Sequence, residues 1–167
     1  ELSAAYTAFA NEGRRIEPHV LRRVEKDDGA DVTTVRREAR AVMRPELAYV
    51  MTYLMQGVIN RGTGAGVRSR GFGLPAAGKT GTSRDGWFVG YTNDLLVIAW
   101  VGFDDGRDLG LPGSRSALPI WTDFMLKVYA LHPATNVAAM SFAPPPGIEI
   151  VRIDADTLML ATPFCEN

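Results

Sequence analysis

Cysteine is almost absent from this 167-residue chain: Cys165 stands alone near its end. No disulfide framework and no cysteine-based zinc site can be built within it. The only histidines, His19 and His132, lie far apart, and neither an HExxH pattern nor a Cys-His cluster occurs. No metal or other cofactor is therefore expected. An excess of one charge is also missing, since 18 Lys and Arg against 19 Asp and Glu leave a formal net charge of −1. The clearest basic stretch, Arg36, Arg37, Arg40 and Arg44, is interrupted by Glu38 and reads as a solvated face. A nucleic-acid partner would call for a strongly basic patch, so none is expected. The longest apolar run covers 95–101, far short of the roughly 20 residues a membrane helix needs. No signal-peptide pattern opens the chain. Any membrane anchor is expected outside it.

What is present suits a packed core, with 46% hydrophobic and 22% charged residues. Leu2, Ala5, Tyr6 and Phe9 fall at helical spacing, with Gly13 as a stop. Glu1 opens on this helix without a capping residue before it, which suggests a piece of something longer. His19 to Lys26 and Ala30 to Val35 read as two strands around an Asp28-Gly29 turn. Pro45 fits the first position of a helix whose apolar stripe is Leu47, Val50, Met51, Leu54, Met55 and Val58, read as core packing. From Arg61 to Gly78 there are six glycines and no periodicity, which reads as a loop. Trp87 to Thr92 and Leu95 to Phe103 read as strands joined at Asn93-Asp94, the second an almost continuous apolar run. A helix is expected from Ala117 to about Ala130, with Trp121, Phe124, Met125 and Val128 covering the sheet. Pro144 to Gly147 breaks the chain, and a small strand pair is expected between Ile148 and Ala161, turning near 154–156.

Two motifs compete for one segment. Gly73 to Thr80 matches the phosphate-binding pattern GxxxxGK[ST] in full, and Asp104-Asp105 after an apolar run resembles a magnesium-holding strand end. That chemistry needs a buried strand before the loop and a helix starting at the Lys-Thr, so that backbone N–H groups and the helix dipole bind phosphate. The preceding residues, Gly66 to Gly71, are polar and glycine-rich, while Gly81 and Gly86 follow closely. Each glycine costs a helix roughly 1 kcal/mol relative to Ala. A nucleotide-binding protein is thus the weaker reading.

The second pattern is Lys79-Thr80-Gly81, which occurs with Ser-x-x-Lys and Ser-Asp-Asn motifs in penicillin-binding proteins and class A β-lactamases. Binding a peptide carboxylate calls for a cation and hydroxyl donors. Lys79 offers the charge, while Thr80 and Thr82 offer hydroxyls two residues apart on one strand face. Gly81 leaves the opposite position free of side chain. A peptide can then lie along the strand, with a backbone N–H aimed at a developing oxyanion. By itself the tripeptide arises by chance in roughly one chain in twenty-five of this length at average residue usage.

The surroundings are more specific. Ala77 to Thr92 (AGKTGTSRDGWFVGYT) with Ala99 to Asp105 (AWVGFDD) resembles class A penicillin-binding proteins, bifunctional enzymes of the bacterial cell wall. Leu2 to Gly13, Ala48 to Ala65 and Ser116 to Trp121 resemble further family segments in the same order. The resemblance implies an α+β fold: an antiparallel β-sheet of about three main strands flanked by helices, an incomplete transpeptidase fold. Residues 1–143 would be the C-terminal segment of that domain, with a hairpin near 19–36 and the Lys-Thr-Gly strand near 77–84. Residues 144–167 would form a small β tail. Lys79 and Thr82 would be catalytic, the latter through its backbone N–H. Thr80, Gly81 and Thr82 would bind substrate, and Trp87 would pack. The implied substrates are the peptidoglycan stem peptide and β-lactam antibiotics, and the implied location is the extracytoplasmic face of the bacterial membrane.

One departure matters. None of Ser3, Ser69, Ser83, Ser114, Ser116 and Ser141 has Lys three residues later or Asn two residues later. The nucleophile motif, the second motif, the first two sheet strands, the glycan-polymerising domain and the membrane anchor are all expected upstream. The missing N-terminal part of the same domain then counts as a partner. A non-catalytic module that docks cell-wall peptide is the other alternative.

Overall fold

The structure, a computed structural model, describes residues 1–35, 38–133, 137, 140–154 and 157–161. Its centre is an antiparallel sheet of three strands in sequence order: β5 (Ala77–Thr82), β6 (Gly86–Tyr91) and β7 (Leu96–Val101). Before them come α1 (Leu2–Ala10), β1 (Arg14–Ile16), β2 (Arg23–Glu25), β3 (Asp31–Thr34), β4 (Ala39–Ala41), α2 (Pro45–Arg61) and α3 (Gly66–Ser69). After them comes α4 (Ala117–Leu131). The expected α+β architecture and the order of the three main strands are both found. No described helix is long and apolar enough to cross a membrane.

Strand alternation divides the sheet into two faces. Phe88, Ala99 and partly buried Val97 and Val101 pack with Leu118, Trp121 and Met125 of α4. Ile59, Val67, Phe72 and Ala76 close the side of this core. Trp121 is fully buried against Phe72 and Phe88, and its indole N–H lies 3.3 Å from Gly90 O and 3.2 Å from Val97 O. On the opposite face, Tyr91, Met55 and Ala77 meet Tyr6 and Phe9 of α1. The Tyr91 and Thr52 hydroxyls sit 2.8 Å apart there, and burial pushes the Tyr91 phenol up to about 12. Near the β6–β7 turn, the Thr92 and Tyr129 hydroxyls are 2.7 Å apart, and both donate to Asp94. Burial raises the Asp94 carboxyl, but these two bonds together with a backbone hydrogen bond outweigh it and hold the group below its usual value.

Several sequence expectations are corrected. The α2 stripe of Leu47, Val50, Met51 and Leu54 is exposed, and the buried face is Ala48, Thr52, Met55 and Ile59. The two stripes are one residue apart, so both satisfy helical spacing; the smaller side chains lie where α2 meets α1 and β5. Phe124 is 47% exposed, whereas Trp121 and Met125 of the same predicted face are buried. In α1 the buried residues are Ala4 and Ala8, and Leu2 and Ala5 are exposed. The Asp28-Gly29 hairpin forms, but its strands are confined to β2 and β3, and 19–22 are not strand. Strands β1 and β4 pair with each other and have no apolar alternation to reveal them. The predicted loop after α2 contains α3. Between Ile148 and Ala161 the described residues make one bridge, Ile153 to Leu160, rather than a strand pair. Of the basic stretch, Arg40 and Arg44 are exposed; residues 36–37, 155–156 and Cys165 lie outside the described residues.

These two α4 residues should separate in urea unfolding. Trp121→Ala is expected to cost about 3–5 kcal/mol through the cavity it leaves. Phe124→Ala should cost less than about 1 kcal/mol.

Candidate functional site

Residues 79–82 are extended strand, as the carboxylate-binding reading requires, and no helix begins at Lys79-Thr80. The phosphate-loop geometry is therefore not formed. The decisive feature is which main-chain groups of β5 point outward. In an antiparallel ladder, hydrogen-bonded and non-hydrogen-bonded pairs alternate. Thr92 N–H donates to Leu95 O at 3.0 Å, so counting back along the β6–β7 register commits Gly90, Phe88 and Gly86 to β7. Tyr91, Val89 and Trp87 are then committed to β5, opposite Ala77, Lys79 and Gly81. The Ser83 N–H to Asp85 O bond at the other turn, 3.2 Å, gives the same phase. The main-chain groups of Gly78, Thr80 and Thr82 are left facing away from β6, and no described strand pairs on that side.

The side chains divide between faces. Thr80 and Thr82 share one face, as expected, but alternation places Lys79 and Gly81 on the other. One cleft holding the ammonium and both hydroxyls together is not what the strand presents. Lys79 instead meets the threonines at the edge: it is exposed, and its Nζ donates to the outward carbonyl of Thr80. Thr82 is exposed and accepts a hydrogen bond at Oγ1 from Gly113 N–H, 3.1 Å. A backbone N–H can only donate, so this bond occupies a lone pair and leaves the Thr82 proton free to donate elsewhere. Thr80 is only 8% exposed, and its Oγ1 lies 2.8 Å from that of Thr63. On the Lys79 face, Leu2, Tyr6, Trp87 and Val89 join Lys79, Thr80 and Gly81 around a cavity of about 260 Å³. A Cβ at Gly81 would approach Trp87 Cβ to 3.1 Å, so the glycine admits the Trp87 side chain. Trp87 packs beside Trp100, centroids 6.1 Å apart.

Three supporting groups escaped the sequence reading. Arg68 Nη1 donates to Phe72 O and Leu74 O, each at 2.7 Å, and so shapes the loop that feeds β5. Burial pushes its guanidinium down from the ordinary value. Gly113 lies directly on the β5–β6 backbone: a Cβ there would be 2.3 Å from Gly81 O and 2.4 Å from Trp87 O. Only a signal joining 113 to 81–87 across some thirty residues could have marked it. Thr63 was visible as a threonine between two glycines, but nothing in the sequence aims it at Thr80. Among the described residues, no three His, Cys, Asp or Glu side chains gather as a metal site. Gly113→Ala is expected to destabilise the protein by about 1–3 kcal/mol through overpacking. Chemical denaturation will measure this, and loss of amide-exchange protection should centre on 80–88.

Comparison with known proteins gives the family and the fold. The model of the penicillin binding protein transpeptidase domain matches residues 1–123. Penicillin-binding protein 1A of Aquifex aeolicus is 33% identical over 172 residues, covering 100% of this chain and 23% of that protein. Penicillin-binding protein 1A of Pseudomonas aeruginosa is 31% identical over 224 residues, covering 98% and 26%. The chain thus spans about a quarter of the length of these relatives. The crystal structure of penicillin-binding protein 1A from Haemophilus influenzae superposes with a TM-score of 0.84 at 22% identity, covering 99% of this chain and 30% of that one. The PonA1 protein of Mycobacterium tuberculosis, solved in complex with penicillin V, superposes with a TM-score of 0.67 at 23% identity, covering 89% and 41%. A family match through most of the chain, joined to a fold shared over its whole length, makes this sequence a member of the penicillin-binding protein transpeptidase family.

Proposed function

We propose that this chain supplies the substrate-binding edge of a serine-type peptidoglycan DD-transpeptidase, completed by a part of the same domain that lies upstream. The observation that carries the reading is the open side of β5, where the Thr82 N–H turns outward beside the Lys79 ammonium and a free hydroxyl proton on Thr82. A stem peptide ending in D-Ala-D-Ala adds to this edge as a strand, held by main-chain hydrogen bonds. Its terminal carboxylate accepts hydrogen bonds from the Thr80 and Thr82 hydroxyls, with the charge of Lys79 alongside. Gly81 keeps the cleft wall open.

The chemistry is acyl transfer. A serine Oγ, supplied from outside this chain, attacks the penultimate D-Ala carbonyl carbon and gives up its proton. The carbonyl oxygen becomes an oxyanion, and the Thr82 N–H donates to it. The C–N bond then breaks, the terminal D-Ala leaves with a proton, and an acyl-serine ester remains. An amine of a neighbouring peptide attacks that ester, forming the cross-link and restoring the serine. β-Lactams enter as carboxylate-bearing substitutes for D-Ala-D-Ala, in keeping with a structural neighbour solved with penicillin V. Lys79 tunes proton movement at the serine from the opposite face of the strand. The work belongs on the outer side of the cytoplasmic membrane, where peptidoglycan is built, with anchoring supplied by other parts of the protein.

Replacement tests these roles in the longer protein. Lys79→Ala should lower cross-linking by about a hundredfold or more, and Thr80→Val by about tenfold, with the melting temperature unchanged. Retained cross-linking would favour a non-catalytic docking module. This 167-residue chain alone should carry no covalent penicillin after denaturation, as it lacks a Ser-x-x-Lys nucleophile; a retained label would contradict the assignment.

A further inference from the structure

Thr80, to which the proposed function gives a carboxylate contact, does not act alone. Its Oγ1 is 2.8 Å from Oγ1 of Thr63, an exposed residue in the connection between α2 and α3. That connection is built to hold Thr63 in place. The N–H groups of Gly62 and Gly64, on either side of it, both donate to the single carbonyl of Val58, at 3.1 and 3.0 Å. A Cβ at Gly62 would come within 2.9 Å of Val58 Cα, and one at Gly64 within 3.1 Å of Val58 O. Two glycines therefore let the chain fold back onto the end of α2. The threonine between them is fixed by backbone bonds rather than by packing of its own side chain. The pairing with Thr80 is long-range, crossing 17 residues and joining α2's end to the open strand.

Proton counting gives this pair a function. A hydroxyl has one proton to donate and two lone pairs. Two hydroxyls bonded to each other spend one proton on the mutual bond and keep one. If Thr80 donates to Thr63, Thr80 has nothing left for an anion. If Thr63 donates to Thr80, the Thr80 proton is available, and the incoming bond strengthens it as a donor through polarisation. An anion at the β5 edge selects the second arrangement. We infer that Thr63 is a positioning residue of the carboxylate site: it donates to Thr80 and so commits the Thr80 proton to the bound carboxylate. This parallels Thr82, whose proton is freed by Gly113 N–H. Each site hydroxyl then has a protein donor behind it, one a backbone amide and the other Thr63. The inference rests on the reading of β5 as a carboxylate-binding edge.

The test uses the longer protein with its nucleophile, and two forms of one β-lactam: the free acid and its methyl ester. The second-order acylation rate is measured for wild type, Thr63→Val, Thr63→Ala, Thr63→Ser and Thr80→Val, with melting temperatures alongside. Thr63→Val and Thr63→Ala should each slow acylation by the acid about tenfold and leave the ester within about twofold. Thr63→Ser, which keeps the hydroxyl, should restore the acid to within about threefold of wild type. An equal loss for acid and ester would make Thr63 a structural residue and overturn the inference, as would no loss for either. Thr80→Val serves as the control on the underlying reading: it should erode the preference for acid over ester. If Thr80→Val leaves that preference intact, the carboxylate reading of the edge fails. If Thr80→Val erodes it and Thr63→Val does not, only the role of Thr63 fails.

Discussion

Each residue of an antiparallel strand sends both of its main-chain groups to the same side, and its neighbour sends them to the other. Two turn bonds, Thr92 to Leu95 and Ser83 to Asp85, set that phase for the whole sheet. Once it is set, the outward groups of β5 can only be those of Gly78, Thr80 and Thr82. A shift of one residue would turn Lys79 and Gly81 outward instead and move each side chain to the opposite face. The Thr82 amide, the hydroxyl face and the position of Lys79 are thus consequences of one register. The buried layer beneath protects it: Trp121 holds the β6 and β7 carbonyls at Gly90 and Val97 from the α4 side. From the other side, Tyr91 is tied to α2 through Thr52.

The sequence made a good part of this legible. Strand-like runs joined at Asn93-Asp94 announce two neighbouring antiparallel strands, and Pro45 announces the start of α2 with no help from tertiary structure. Local patterns failed where two answers satisfy the same period. The large apolar stripe of α2 looked like its core face, yet Ala48 and Thr52 lie inside because the helix must come close to its neighbours. Phe124 fits the α4 stripe, but Leu118, Thr122 and Met125 define the true inner face around Trp121. Strands β1 and β4 were invisible because three-residue segments such as Arg14-Arg15-Ile16 carry no alternation and exist only through each other.

The site was legible as a string and less so as an arrangement. The Lys-Thr-Gly motif and the family resemblance place positions 79–82 on a strand, and strand alternation puts the two threonines on one face. That same alternation argues against gathering Lys79 with them, and the structure puts their meeting point at the strand's edge. Thr63 and Gly113 contribute through contacts across 17 and 31 residues, a separation at which a single sequence has no signal. The overlap with the phosphate-loop pattern makes the same point. Gly73 to Thr80 satisfies that pattern letter by letter, and the extended backbone at Lys79 agrees with the glycines on either side in separating the two chemistries.

A strand that offers a ligand mainly amides and carbonyls measures the spacing of the ligand's own backbone and is nearly blind to its side chains. Discrimination on such a surface has to come from where the ligand stops. On the carboxylate-binding reading proposed above, the hydroxyls and the ammonium at the end of β5 would register a chain terminus. An enzyme built this way would accept wide variation along a peptide while remaining strict about its last residue.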